Sequence, residues 1–238
     1  MRPRHLLAPI LLLAACAACG QPKQNVPLST QHRQLQAGDR WEYRFKGVMR
    51  EADGETTKLT GHVDCEIVNA PMDGQPALCE VTVFHLKPVG GDKDEAFELR
   101  VDTFIQQDAA TGNVYEIAVR DDPEKPDTIR KVVGKRLYKP GRWSESLQTK
   151  EKVTYSEGPG EECSMQVNGT EKVETAVAHF DTWRFADSAV CTDGSSMTSE
   201  VWYCPALGCE VKGSFKQIMA DKSTLEGTLL LTKTTVKL

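Results

Sequence analysis

Apolar and polar residues alternate one by one along most of this chain. From Trp41 to Lys46, the aromatics Trp41, Tyr43 and Phe45 interleave with Glu42, Arg44 and Lys46. Successive side chains of a strand point to opposite faces, so this pattern gives one buried and one wet face, as in an antiparallel sheet. Leu59, Gly61, Val63, Cys65 and Ile67 repeat it against Thr60, His62, Asp64 and Glu66. The same period predicts strands near 77–87, 96–107, 113–120, 129–138, 150–157, 163–167, 170–177, 182–191, 196–204, 209–219 and 225–237. Turn signals separate them: Asp73-Gly74, Gly90-Gly91, Gly112-Asn113, Asn168-Gly169 and Asp193-Gly194. Asn168-Gly169 is the cleanest two-residue hairpin turn among these. No stretch carries a three-turn amphipathic stripe, and at most one short helix fits, near 107–111 or 217–223. The expected fold is all-β: an antiparallel meander of about 11–12 strands, curling into a half-barrel, open barrel or sandwich. The glycine-rich segment 157–161 is where two sheets could divide.

The start of the chain has a different character. Arg2 and Arg4 precede an apolar run from Leu6 to Leu13, followed by Ala14, Ala15 and Cys16. A charged start, a short apolar middle and small residues before a cut make a secretory signal. A membrane span would need roughly 20 apolar residues, and this run is shorter. The cysteine at the cut resembles a bacterial lipobox. That resemblance implies cleavage after Ala15, a lipid such as palmitate on Cys16 and a membrane as partner. Cys19 is a weaker acceptor, because Cys16, Ala17 and Ala18 before it lack the branched residue that Leu13 supplies. No Asp follows Cys16, which by the same resemblance favours the outer membrane, facing the periplasm. The expected organisation is a signal peptide over 1–15, a lipidated flexible tether over 16–36 and a single β-rich domain over 37–238. Such a tether would have an r.m.s. reach of about 25 Å.

Charge and cysteines sharpen this picture. The formal net charge is −5, and loss of Arg2 and Arg4 makes it more negative still. An acidic surface favours solubility and disfavours nucleic acid or anionic headgroups as partners. Six cysteines follow the signal region: Cys65, Cys79, Cys163, Cys191, Cys204 and Cys209. In an exported chain an even number predicts disulfides. The Asp73-Gly74 turn suggests that Cys65 and Cys79 face each other across a hairpin centred on residue 72. Cys204 and Cys209 would pinch the base of a tight turn through Pro205 and Gly208. Cys163 and Cys191 would then pair by elimination.

Leu35, Gly38, Asp39, Trp41 and Tyr43 are similar to the opening of many bacterial envelope lipoproteins. Trp202, Tyr203, Pro205, Leu207, Gly208, Val211 and Lys212 resemble their late signature, and Phe180 to Phe185 fits the segment before it. The pattern resembles uncharacterised periplasmic and outer-membrane β-proteins related to the Lol-type lipoprotein carriers. The resemblance implies a half-barrel with an apolar concave face. The two cysteines around the late turn depart from that pattern.

The sequence carries no Gly-x-Ser-x-Gly elbow, no His-Glu-x-x-His and no phosphate-binding glycine loop. A non-enzymatic protein without cofactor or metal is the expectation. His62, Asp64 and Glu66 read as the wet face of a strand, and Gly91 to Glu95 as an acidic solvated loop. Trp41, Tyr43, Phe45, Trp183, Phe185 and Trp202 are expected to line one concave apolar surface for a lipid or other hydrophobic ligand. The alternative is a scaffold protein of envelope assembly, with those aromatics filling a closed core and an envelope protein as partner.

Overall fold

The computed structural model describes residues 23–90, 96–120 and 128–237. Cys16, Cys19, the apolar run before them and the acidic loop 91–95 lie outside the described residues. The strands are β1 (Asn25–Val26), β2 (Arg40–Arg50), β3 (Thr56–Asn69), β4 (Leu78–Pro88), β5 (Phe97–Gln107), β6 (Val114–Arg120) and β7 (Ile129–Lys139). They continue with β8 (Gln148–Val153), β9 (Glu161–Glu174), β10 (His179–Cys191), β11 (Ser196–Cys204), β12 (Cys209–Ile218) and β13 (Thr224–Thr234). All belong to one sheet of order β7-β6-β5-β4-β3-β2-β13-β12-β11-β10-β9-β8, with β1 attached to β10. Segment 157–161 therefore divides nothing; it is the turn between β8 and β9. Segments 107–111 and 217–223 hold strand ends and turns rather than a helix.

The sheet curls until its edges meet. Val133 N–H donates to the Thr154 carbonyl at 2.7 Å, and Ser156 N–H to that of Lys131 at 2.8 Å. The seam between β7 and β8 is short, so the barrel is nearly closed. Charged side chains extend it. Arg136 of β7 donates to Glu116 of β6 at 3.0 Å and to Glu161 of β9 at 2.8 Å. The Tyr155 hydroxyl lies within hydrogen-bond reach of both carboxylates. Burial opposes the Arg136 charge, but Glu116, Tyr155 and Glu161 together hold it firmly protonated.

Two register details differ from the simplest reading of the sequence. Asn168-Gly169 is no hairpin turn, because β9 runs straight through it. Trp183 pairs with Thr170 and Phe185 with Val167, so Arg184 faces two residues across a bulge. Gly169 takes a φ of 106°, which suits a bulge as well as a turn. In the β3–β4 hairpin, Val68 pairs with Cys79 and Cys65 with Thr82, three residues off the symmetric arrangement about residue 72.

That register explains why Cys65 and Cys79 are unbridged. Cys65 follows Val63 inward, whereas Cys79 shares the outward face of Val68. All six described cysteines are free thiols, so the expected disulfide staples are absent. Cys163 pairs with Ala189 and Cys191 with Glu161, which makes these two cysteines diagonal neighbours. Diagonal Cα atoms lie about 7–8 Å apart, beyond ordinary disulfide reach. Cys204 and Cys209 are direct cross-strand partners, but each is a free thiol bonded elsewhere. Cys209 engages the Tyr43 hydroxyl, and Cys204 the backbone N–H groups of Ala206 and Leu207.

The segment read as a tether belongs to the fold from Lys23 onward. Asn25 and Val26 pair in parallel with His179 and Phe180. Trp143 N–H donates to the Thr30 carbonyl, His32 N–H to Gly141 and Arg33 N–H to Pro205. The Trp183 indole N–H donates to the Ser29 carbonyl at 2.7 Å. Val26, His32 and Leu35 are buried. This strap lies across the barrel mouth formed by the turns after β5, β7, β9 and β11. It shows no sequence period because backbone groups carry most of its bonds.

Candidate functional site

The inner wall carries two aromatic groups. Trp41, Tyr43 and Phe45 project from β2, which alternates cleanly, and all three are buried. The Phe45 ring covers Gly47 and Gly227, where a Cβ would collide with it. On the other wall, Trp183 and Phe185 of β10 face Tyr203 and Val201 of β11. Trp143 stacks on Tyr203 with ring centroids 4.8 Å apart. Trp202 points the opposite way from Tyr203, as strand alternation requires. It lies under Lys212, whose ammonium is 3.8 Å from its ring, and near Arg184. The six aromatics therefore do not line one surface. Three fill one part of the interior and two another, while Trp202, also buried, projects from the opposite face of its strand beneath Lys212.

Between the two groups lies a band of charge. A cavity of about 180 Å³ is lined by Trp41 and Tyr43 together with Glu80, Lys139, Cys209 and Glu210. The Tyr138 hydroxyl donates to Glu80 at 3.0 Å, and Lys139 Nζ to Glu210 at 3.3 Å. Lys139 also sits over the Tyr138 and Tyr203 rings, at 4.8 and 5.2 Å. Burial raises the Glu80 carboxyl above its ordinary range. Burial lowers Lys139, but Glu210, Glu80 and Asp187 more than offset it, and its pKa rises. At the strap, His32 Nε2 meets the Tyr203 hydroxyl at 2.6 Å. Burial, aided by Lys139 and Arg33, lowers the His32 pKa to about 4.

This chamber suits a few heavy atoms. Pockets for small molecules usually span about 300–1,000 Å³, and an acyl chain needs a long dry slot. A second depression of about 570 Å³ opens beside the strap, between Gln34, Leu35, Leu78, Gln107, Tyr115 and Lys135. Its mixed lining resembles ordinary surface more than an apolar groove. The exposed large apolar residues Leu28, Val89, Leu99, Val133, Val190 and Met197 are scattered through the chain rather than drawn from one segment.

The thiols are suited to packing rather than reaction. Burial pushes Cys79 and Cys163 up to about 12 and raises Cys65 and Cys209 further. Nucleophilic attack needs the thiolate, which these settings suppress. Of the polar trio on β3, Glu66 turns to Arg40 at 2.7 Å. His62 and Asp64 instead meet His85 of β4, a partner no single-strand reading of the sequence could supply.

No protein-family model and no curated protein matches the chain. Among solved structures, it is similar to a protein described as a lipoprotein from Parabacteroides distasonis. That likeness has 10% identity and a TM-score of 0.36, and covers 86% of this chain and 98% of the other. At that level it marks a similarity of outline and nothing further.

Proposed function

We propose that this is an exported, lipid-anchored and non-enzymatic envelope protein whose barrel acts as a rigid interaction scaffold. One observation carries the choice of scaffold over carrier: the interior is occupied by its own side chains. Trp41, Tyr43, Phe45, Trp183 and Phe185 are each no more than 5% exposed. Apart from the open, mixed-lined depression beside the strap, the remaining space is about 180 Å³ and faces Glu80, Lys139 and Glu210. Mutual pairing of these charges suits a structural role. The anchor reading rests on Leu13, Ala14 and Ala15 before Cys16. The strap supports it, because it leads the chain toward one barrel mouth. Seven residues from Cys16 to Lys23 would hold that mouth within roughly 25 Å of a bilayer.

Two measurements test the reading. Cys16→Ser, expressed in a bacterium that lipidates such signals, should release the protein from membranes; continued membrane partitioning at unchanged size would refute the anchor. Titration of the full chain in mild detergent with a fluorescent fatty acid should show no saturable binding at micromolar ligand. Saturable binding with altered tryptophan emission would restore a carrier of hydrophobic ligands.

A further inference from the structure

We propose that His62, Asp64 and His85 bind one divalent transition-metal ion of the zinc type on the outer face of the barrel. The β3–β4 register makes His62 and His85 direct cross-strand partners. Gly61, next to His62, lets the two strands approach: a Cβ there would collide with the His85 carbonyl oxygen. The two imidazoles stack with centroids 4.5 Å apart at 18°. Asp64 lies two residues beyond His62 on the same face. His85 Nε2 is 3.3 Å from Asp64 Oδ2, and His62 Nε2 is 3.7 Å from the same oxygen. One ligand atom from each of the three lies within 4.8 Å of the others.

The ring orientations favour a cation over a plain ion pair. His85 Nδ1 is 2.6 Å from Glu98 Oε1, its cross-strand neighbour on β5. A carboxylate on Nδ1 fixes the tautomer and turns Nε2 outward as a metal ligand, as in carboxylate–histidine–zinc arrangements. That Nε2 and the His62 Nε2 both face one carboxylate oxygen, Asp64 Oδ2. A single dication satisfies all three groups at once. In tetrahedral coordination at about 2.0–2.1 Å, neighbouring ligand atoms stand about 3.4 Å apart, and a small turn of His62 closes the set. Two imidazoles and one carboxylate suit zinc, nickel, copper or iron better than calcium or magnesium. Glu42, held by Lys233 at 2.7 Å, and Arg44, opposite His62, flank the group. The side chains of His62 and Asp64 are half exposed, so further coordination positions open to water or to a donor from another molecule.

The test uses the full chain in mild detergent, stripped with EDTA and titrated calorimetrically with zinc chloride near neutral pH. One saturable equivalent per chain is expected, with no matching heat from magnesium. His62→Ala, His85→Ala and Asp64→Asn should each weaken it at least about tenfold, and Glu98→Gln about 10–100-fold, as for other outer-shell partners. Absence of a saturable phase would overturn the site. So would an unchanged phase in the His62→Ala/His85→Ala double variant, which would place the ion on other donors. In the unsubstituted chain, substoichiometric cobalt should selectively broaden the His62 and His85 ring resonances. Unaffected resonances would also overturn it.

Discussion

Arg136→Met probes the seam where the barrel closes. The substitution keeps an unbranched apolar stem, shorter by the guanidinium head, and removes the cation between Glu116 and Glu161. The Glu116 side chain is 3% exposed and that of Glu161 11%, so neither can turn to bulk water. Breaking a buried pair by deleting one partner costs about 3–5 kcal/mol, mostly from the charge left behind. For a domain of this size that lowers the melting temperature by roughly 6–20 °C. Burial already raises Glu116, so its ionisation favours unfolding as pH climbs out of the ordinary carboxylate range. Loss of Arg136 widens that window, and the deficit of the variant should shrink on moving from neutral to mildly acidic pH. Calorimetric melts across that range measure both effects. The triple change Arg136→Met/Glu116→Gln/Glu161→Gln should regain much of the loss. The exposed pair of Lys216 and Glu226 supplies the control, since Lys216→Met should move the midpoint little. An Arg136→Met deficit no larger than this control, or one independent of pH, would refute the view that the charges hold the seam.

Two further outcomes follow from buried titratable groups. His32 is neutral in the fold, with a pKa near 4 against 6.5 when free. Its contribution, about 3 kcal/mol, is complete above the free value and is lost as pH falls toward the folded one. Its ring resonances should stay constant until the pH nears the folded value, and a titration midpoint near 6.5 would refute the assignment. Cys65, Cys79, Cys163, Cys204 and Cys209 should resist a disulfide reagent in the native fold, and these five and Cys191 should all react in denaturant without reductant. Missing reactive thiols in denaturant would show bridges.

The strands were legible because alternation is local. Residues 96–107, 113–120 and 196–204 read as strands and form Phe97–Gln107, Val114–Arg120 and Ser196–Cys204. Register was not legible, because a shift of a few residues alters every cross-strand pair without changing the alternation along either strand. A symmetric hairpin about residue 72 pairs Cys65 with Cys79, whereas the actual register pairs His62 with His85. Asn168-Gly169 was ambiguous because a bulge and a turn ask the same backbone freedom of glycine. Trp202 carried a legible parity relative to Tyr203 but no sign of which face was inside. Glu116, Arg136, Tyr155 and Glu161 lie on separate elements, and nothing in their spacing announces a cluster.

The sheet order has a kinetic consequence. The first long strand, β2, lies in mid-sheet against the last, β13, while the seam falls between neighbours in mid-chain. Thr228 Oγ1 donates to the Lys46 carbonyl, 182 residues away. Each half of the chain can zip into its own meander through short loops, but joining the halves means closing a loop of nearly the whole polypeptide. Such distant pairing makes folding slow. Until β13 arrives, β2 and β12 each present an unpaired edge, the kind of template on which chains associate. The vulnerable period of this protein therefore lasts until its final strand is free to pair, and loss of that strand would leave two open half-sheets instead of one barrel.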